Sequence, residues 1–123
     1  YPLTPLILQM KILLLLKEKS WDLALGLSEK LQRMEPENGA GFIQGAYCLH
    51  EMKRTDEALE LLEIAPDSVR SDAIYFYNKG CYQAAIGDLD TAFDCIKKSF
   101  DLDESLIEVA RRDPDLAILK DSI

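Results

Sequence analysis

SWDLALGL at residues 20–27, RTDEALEL at 54–61 and GDLDTAFD at 87–94 each carry an alanine, and those alanines, Ala24, Ala58 and Ala92, stand 34 residues apart. Lys19, Lys53 and Gly87 keep the same spacing just before them, and so do Ser28, Leu62 and Ile96, then Leu31, Ala65 and Ser99, after them. A turn residue, a small residue and two further inward positions that recur together mark an internal repeat. The small residue has a steric purpose. Antiparallel helices joined by a two- or three-residue turn come closest near that turn, and Ala permits separations at the short end of the usual ~8–10 Å range. In the same register the preceding helix carries Ile12, Ala46 and Gly80. The bulk of Ile12 predicts a splayed first pair or an imperfect register there.

Apolar residues elsewhere recur at helical spacing, and no alternating strand pattern interrupts them. Leu3, Leu6, Ile7, Met10, Leu13 and Leu14 suit a first helix, closed by Lys17–Ser20. Trp21, Leu23, Ala24, Leu27 and Leu31 suit a second, with Ser20 as its cap. Pro36, Asn38, Gly39 and Gly41 then break the pattern. A third helix is expected over about 41–52 and a fourth from a Thr55 cap to about Ile64, stopped by Pro66, with 67–71 as a connection. A fifth over 72–85 and a sixth over 89–100 follow. The tail divides into 103–112 and 114–120, the latter capped by Asp113 with Pro114 in its first turn.

The 123 residues suffice for one domain with a core, and 48% hydrophobic against 29% charged residues describes a folded chain. Net charge is −8, split as −2 over residues 1–61 (nine acids, seven bases) and −6 over 62–123 (thirteen acids, seven bases). No basic cluster exceeds a pair, so neither nucleic acid nor an anionic membrane surface is an expected partner. A basic protein surface suits the acidic half better. The longest early apolar run, Ile12–Leu16, lies between Lys11 and Lys17 and is too short to be inserted in a bilayer. Cys48, Cys81 and Cys95 cannot all pair and form no CxxC, which suggests free thiols in a reducing, cytoplasmic setting. The chain opens on Tyr1 instead of Met, as an excised segment of a longer chain would.

These residues resemble the tetratricopeptide repeats, whose 34-residue pattern runs W-x2-L-G-x2-Y, A-x3-F, then Pro. The third repeat, 73–106, offers Phe76, Gly80, Ala92 and Ile96. The second, 39–72, offers Phe42, Ala46, Leu49, Ala58 and Leu62, and the first, 5–38, offers Leu8, Ile12, Leu15, Ala24 and Ser28, with Pro36 at the terminal proline position. Gln83 stands where the family has an aromatic, and the second and third repeats lack the proline. The resemblance implies a single all-α domain: a right-handed α-α superhelix of antiparallel helix pairs, a solenoid of about seven or eight helices with a cap over 107–123. In that cap Glu108, Arg111, Arg112, Asp115, Lys120 and Asp121 would form the outer face, and Leu106, Ile107, Val109, Ala110, Leu116 and Leu119 would close the core.

The resemblance also implies that the first helix of each repeat lines a concave, partner-binding face. The residues so placed are Leu6, Gln9, Leu13 and Leu16, then Ala40, Ile43, Tyr47 and His50, then Ile74, Tyr77, Cys81 and Ala84. The family's carboxylate-gripping form needs Lys and Asn where Gln9 and Leu13 stand, so that mode is rejected. An apolar and aromatic groove suits an amphipathic helix or an extended apolar segment. The alternatives are core packing of these residues or a homodimer patch.

Sites of chemistry are missing from the pattern. His50 is the only histidine, and beside Glu51 it completes neither a triad nor a metal site. Glu57, Glu60 and Glu63 share a helix with Arg54 and read as a solvated charged face. The Asp88–Glu104 acidic cluster lacks the calcium-loop glycine and spacing, and Gly39-Ala40-Gly41 is followed by no Lys-Ser/Thr. The expected function is therefore a non-enzymatic protein- or peptide-binding module without cofactor. A structural oligomerisation domain and a regulatory attachment to an enzyme outside this segment are the competing readings.

Overall fold

The computed structural model describes residues 3–122, and their side chains up to Leu119. Among these residues there are eight α-helices, a terminal 3₁₀ helix and no strand: α1 (Pro5–Lys17), α2 (Trp21–Met34), α3 (Ala40–Glu51), α4 (Thr55–Glu63), α5 (Asp67–Arg70), α6 (Ala73–Ala85), α7 (Leu89–Leu102), α8 (Leu106–Arg111) and the 3₁₀ helix Pro114–Ser122. The all-α class of paired helices is what the repeat demanded. The chain gathers into two compact units, one up to Val69 and one from Arg70. The first holds α1–α4 and the second α6–α8 with the 3₁₀ helix, while α5 straddles their boundary.

The three turns share one geometry. Lys19, Lys53 and Gly87 all adopt positive φ, at 60°, 65° and 90°. At each, the turn residue's N–H reaches back to Leu16, His50 or Ala84, and the next residue's N–H to Leu15, Leu49 or Gln83, at 2.8–3.1 Å. This double bond pattern around a left-handed residue is the Schellman motif, which satisfies carbonyls that a helix end leaves open. It also reverses the chain so that the alanine five residues on meets the preceding helix. Ala24, Ala58 and Ala92 are all wholly buried.

Packing of the pairs follows the residue facing the alanine. A Cβ added to Gly80 would lie 2.6 Å from Ile96 Cδ1 and 3.2 Å from the Ala92 carbonyl. The α6 and α7 backbones run close over more of their length than those of α3 and α4, across from Ala46, while α1 and α2, across from Ile12, are the least closely apposed. Ile12 is nonetheless wholly buried, in a core it shares with Leu8, Ala24, Leu31 and Cys48. Ser28 and Ser99, buried at apolar repeat positions, donate to the Ala24 and Ile96 carbonyls at 2.8 and 2.6 Å. Their hydroxyls are thereby satisfied within their own helices.

Local chemistry moves several boundaries. Thr4 is extended and its Oγ1 accepts the Ile7 N–H at 3.2 Å, so α1 begins at Pro5 and excludes Leu3. Arg54, not Thr55, is the N-cap of α4, and Thr55 Oγ1 instead meets His50 Nδ1 at 3.0 Å. Ser20 occupies the α2 cap position without a side-chain bond. The connection after Pro66 contains α5, where Ser68 Oγ donates to the Glu37 carbonyl and Val69 covers Gly39 closely enough to exclude a Cβ there. Asp103 Oδ1 accepts from both N–H and Oγ of Ser105, a turn that delays α8 to Leu106. In the tail Ala110, Leu116 and Leu119 are buried as the pattern required, but Val109 is half exposed because α8 turns it outward. Glu108, Arg111, Arg112 and Asp115 are exposed; the side chains of Lys120 and Asp121 lie outside the described residues.

The turns give a direct stability test. A non-glycine residue held left-handed costs roughly 1–2 kcal/mol, part of which glycine's greater unfolded-state freedom offsets. Lys53→Gly should stabilise by about 0.5–1 kcal/mol in urea unfolding, and Gly87→Ala, with open space around it, should destabilise by about 1–2 kcal/mol.

Candidate functional site

Within the first unit, α1 is apolar nearly all round yet buries only Leu8 and Ile12 fully. Leu6, Met10, Leu13 and Leu14 are each more than half exposed. Their i, i+4, i+7, i+8 spacing makes a continuous stripe along one side of the helix. Lys11 and Lys17 flank it, and α1 contains no acid. Gln9 is half-buried, and Leu16 is partly buried against the core.

On α3, which packs beside α1 as well as against α2 and α4, Ile43 is half-buried and Tyr47 retains 37% exposure. The Tyr47 ring stands edge-on to Trp21, centroids 5.8 Å apart at 80°. That geometry is favourable for aromatic pairs and fixes the ring while leaving one face to solvent. His50 is drawn into structure by its bond to Thr55, joining the end of α3 to the first turn of α4.

In the second unit the expected surface is largely internal. Ile74 is exposed, but Tyr77 and Cys81 are buried at 5% and 4%. The Tyr77 hydroxyl donates to Asp113 Oδ2 at 2.6 Å, and Cys81 Sγ lies 3.8 Å from the same oxygen. Asp113 Oδ1 meanwhile accepts the Asp115 N–H at 3.0 Å, capping the 3₁₀ helix. The partner-facing assignment of Tyr77 and Cys81 is therefore corrected: the chain's own tail occupies them. Asp113 was legible as a cap, but its second oxygen's role depends on a packing of 36 residues' separation that no local pattern carries. Burial and the Asp113 carboxylate push the Tyr77 hydroxyl well above its ordinary range, and burial first, then the same carboxylate, does likewise to the Cys81 thiol.

Gln83, which broke the aromatic pattern, directly follows an aromatic residue. Tyr82 is buried at 2%. Phe76 is half-buried beneath Lys98 Nζ, 4.6 Å from its ring centroid, and edge-on to Tyr75.

The three cysteines are free and buried. Burial pushes the Cys48 thiol up to about 11 and raises that of Cys95 as well. A buried neutral thiol is a poor nucleophile. Among the described residues no group of three His, Cys, Asp or Glu could hold a metal ion. Among them, too, no helix is long and apolar enough to cross a membrane.

No known family's sequence model matches the chain, and no curated protein matches it. Solved structures do. The chain is similar to "MamA MSR-1 C2" at 22% identity and a TM-score of 0.70, over 83% of this chain and 59% of that one. It is similar to "MamA 41-end from Desulfovibrio magneticus RS-1" at 20% identity and a TM-score of 0.75, over 96% of this chain and 67% of that one. The chain thus spans about three fifths to two thirds of these structures, and at such identity what it shares with them is the fold.

Asp113→Ala should cost about 2–3 kcal/mol, a charged hydrogen bond and a cap together, and should speed alkylation of Cys81 roughly tenfold while leaving Cys48 in the other unit unchanged, as read by peptide mass spectrometry. Native Cys48 should react with a thiol reagent at pH 8 at least roughly a hundredfold slower than in the unfolded chain, the ratio that a shift from 9.0 to about 11 implies before its complete burial adds to the protection. Because the folded state keeps this thiol neutral, its contribution to stability is intact below the unfolded pKa and is lost as pH rises from about 9 through 11. Cys48→Ala should flatten that part of the Tm-against-pH curve.

Proposed function

We propose that this chain is a non-catalytic, tetratricopeptide-like interaction module that holds an amphipathic helix or extended apolar segment of a partner protein on the α1–α3 face of its first unit. The observation that carries this reading is the stripe of Leu6, Met10, Leu13 and Leu14, an apolar helix face left to solvent beside a half-exposed tyrosine. Contiguous exposed apolar surface of this kind marks a place where another chain sits. Helix-in-groove recognition uses such faces, with rigid aromatic groups adding contact area at small entropic cost.

The residues expected to form the partner surface are here narrowed to Gln9, Leu13, Leu16, Ile43 and Tyr47, joined by Leu6, Met10 and Leu14. Ile74 of the second unit remains available to a partner, whereas Tyr77 and Cys81 do not. Free, buried thiols fit a reducing, cytoplasmic compartment.

The same stripe also suits a second copy of this chain, and the two readings differ in their dependence on protomer concentration. Leu6→Glu combined with Leu13→Glu changes exposed positions and should alter folding stability by no more than about 0.5 kcal/mol each. In the interaction reading, a photo-crosslinker at position 10 captures one partner segment, and the double variant loses it with unchanged helicity. In the self-association reading, light scattering over about a hundredfold concentration range shows a dimer that the double variant dissolves.

A further inference from the structure

On the other side of the first unit, α2 and α4 flank a cleft of about 450 Å³ that lies away from the α1–α3 face. Its origin is steric. Gly45 of α3 is approached by both neighbours, since a Cβ there would stand 3.0 Å from Gln32 Nε2 and 3.0 Å from Leu61 Cδ2. Gln32 Nε2 also donates to the Gly41 carbonyl at 3.1 Å, which pins that wall. The two outer helices thus converge on α3 without filling the space between them.

The apolar part of the lining is Leu25, Leu49, Leu61 and Ile64, and Ile64 is 69% exposed. The polar part is acidic. Arg54, the one cation of the lining, is held by Glu57 through two bonds of 2.7 and 2.9 Å, so its charge is already answered. Glu29 on the α2 wall feels Arg54 through space but makes no close ion pair with it, and Glu60 on the α4 wall makes none among the described residues. The lining covers positions 25–32 on α2 and 57–64 on α4, about 10 Å of each helix. That length admits one large side chain with a charged neighbour on either side.

The geometry points to this α2–α4 cleft as a second docking site, for a short basic segment of a partner protein that carries one large apolar anchor between Lys or Arg residues. The anchor would cover Leu49, Leu61 and Ile64, and its flanking cations would reach Glu29 and Glu60. An acidic segment would meet three carboxylates, Glu29, Glu57 and Glu60, against the one cation Arg54, and a wholly polar basic one would leave the apolar lining wet. This site is independent of the α1–α3 face and of what binds there.

The probe is a fluorescein-labelled pentapeptide, Lys-Lys-Leu-Arg-Lys, titrated into the full chain and followed by anisotropy and by amide NMR shifts. Two control peptides replace the cations with Glu or the leucine with Ser. The proposal expects shifts confined to the turns around Leu25, Leu49, Leu61 and Ile64 with the first peptide only. It also expects affinity to fall roughly tenfold in Glu29→Lys/Glu60→Lys, whose exposed positions spare the fold, and to fall likewise in Ile64→Ser. Three results would overturn it: shifts on α1 and the exposed side of α3, equal affinity for the double charge variant, or no shifts up to millimolar peptide. Circular dichroism of each variant separates lost binding from lost folding.

Discussion

Everything in this chain is arranged around a backbone reversal that puts one residue in the left-handed region. Lys19, Lys53 and Gly87 hold it at three points, each closing the end of one helix with two hydrogen bonds and launching the next so that an alanine arrives against its partner. The turn fixes the antiparallel direction of the pair, and the alanine fixes how near the backbones come. Only one of the three turns uses glycine. At the other two a lysine accepts the strain, and its long side chain stays in water while its backbone does the work of the motif.

Once the pairs form, what remains unburied is decided by how many neighbours each helix has. In the first unit α3 is covered by α1, α2 and α4, and its glycines and alanine let them come close. Helix α1 is more apolar than α3 but has fewer neighbours, so its apolar residues divide into a buried pair and an exposed stripe. In the second unit the comparable side of α6 is covered by the tail, and the Asp113 carboxylate serves two masters there: it caps the 3₁₀ helix with one oxygen and takes the Tyr77 proton donor with the other. The contrast between the exposed stripe of α1 and the covered side of α6 is the reason a partner is proposed for the first unit.

The electrostatic pattern points the same way as the packing. An overall acidic chain has its least acidic helix, α1, at the apolar stripe, and its outer helices α2 and α4 present carboxylates around an apolar cleft. As proposed, the first face would take apolar contact with little charge, and the second would take cations around a single anchor.

The repeat alone determined the paired helices, because the turn residue, the small residue and the buried positions Ser28, Leu62, Ile96, Leu31, Ala65 and Ser99 are local in sequence and recur at a fixed step. Helix limits shifted where a single side chain chose a partner that spacing cannot reveal, as when Thr55 joined His50 and left Arg54 at the cap. The family resemblance, not spacing, set Leu13 and Tyr47 on an expected concave face, and it gave Tyr77 and Cys81, which the structure buries, the same standing; the charge pattern read Glu57 and Glu60 as a plain solvated surface. Only tertiary structure could bring Asp113 to Tyr77, or set α2 and α4 apart over the floor of Leu49. Periodicity records which side of a helix is apolar; whether that side is covered depends on a neighbour's position in space, and contacts between residues distant in the chain decide it.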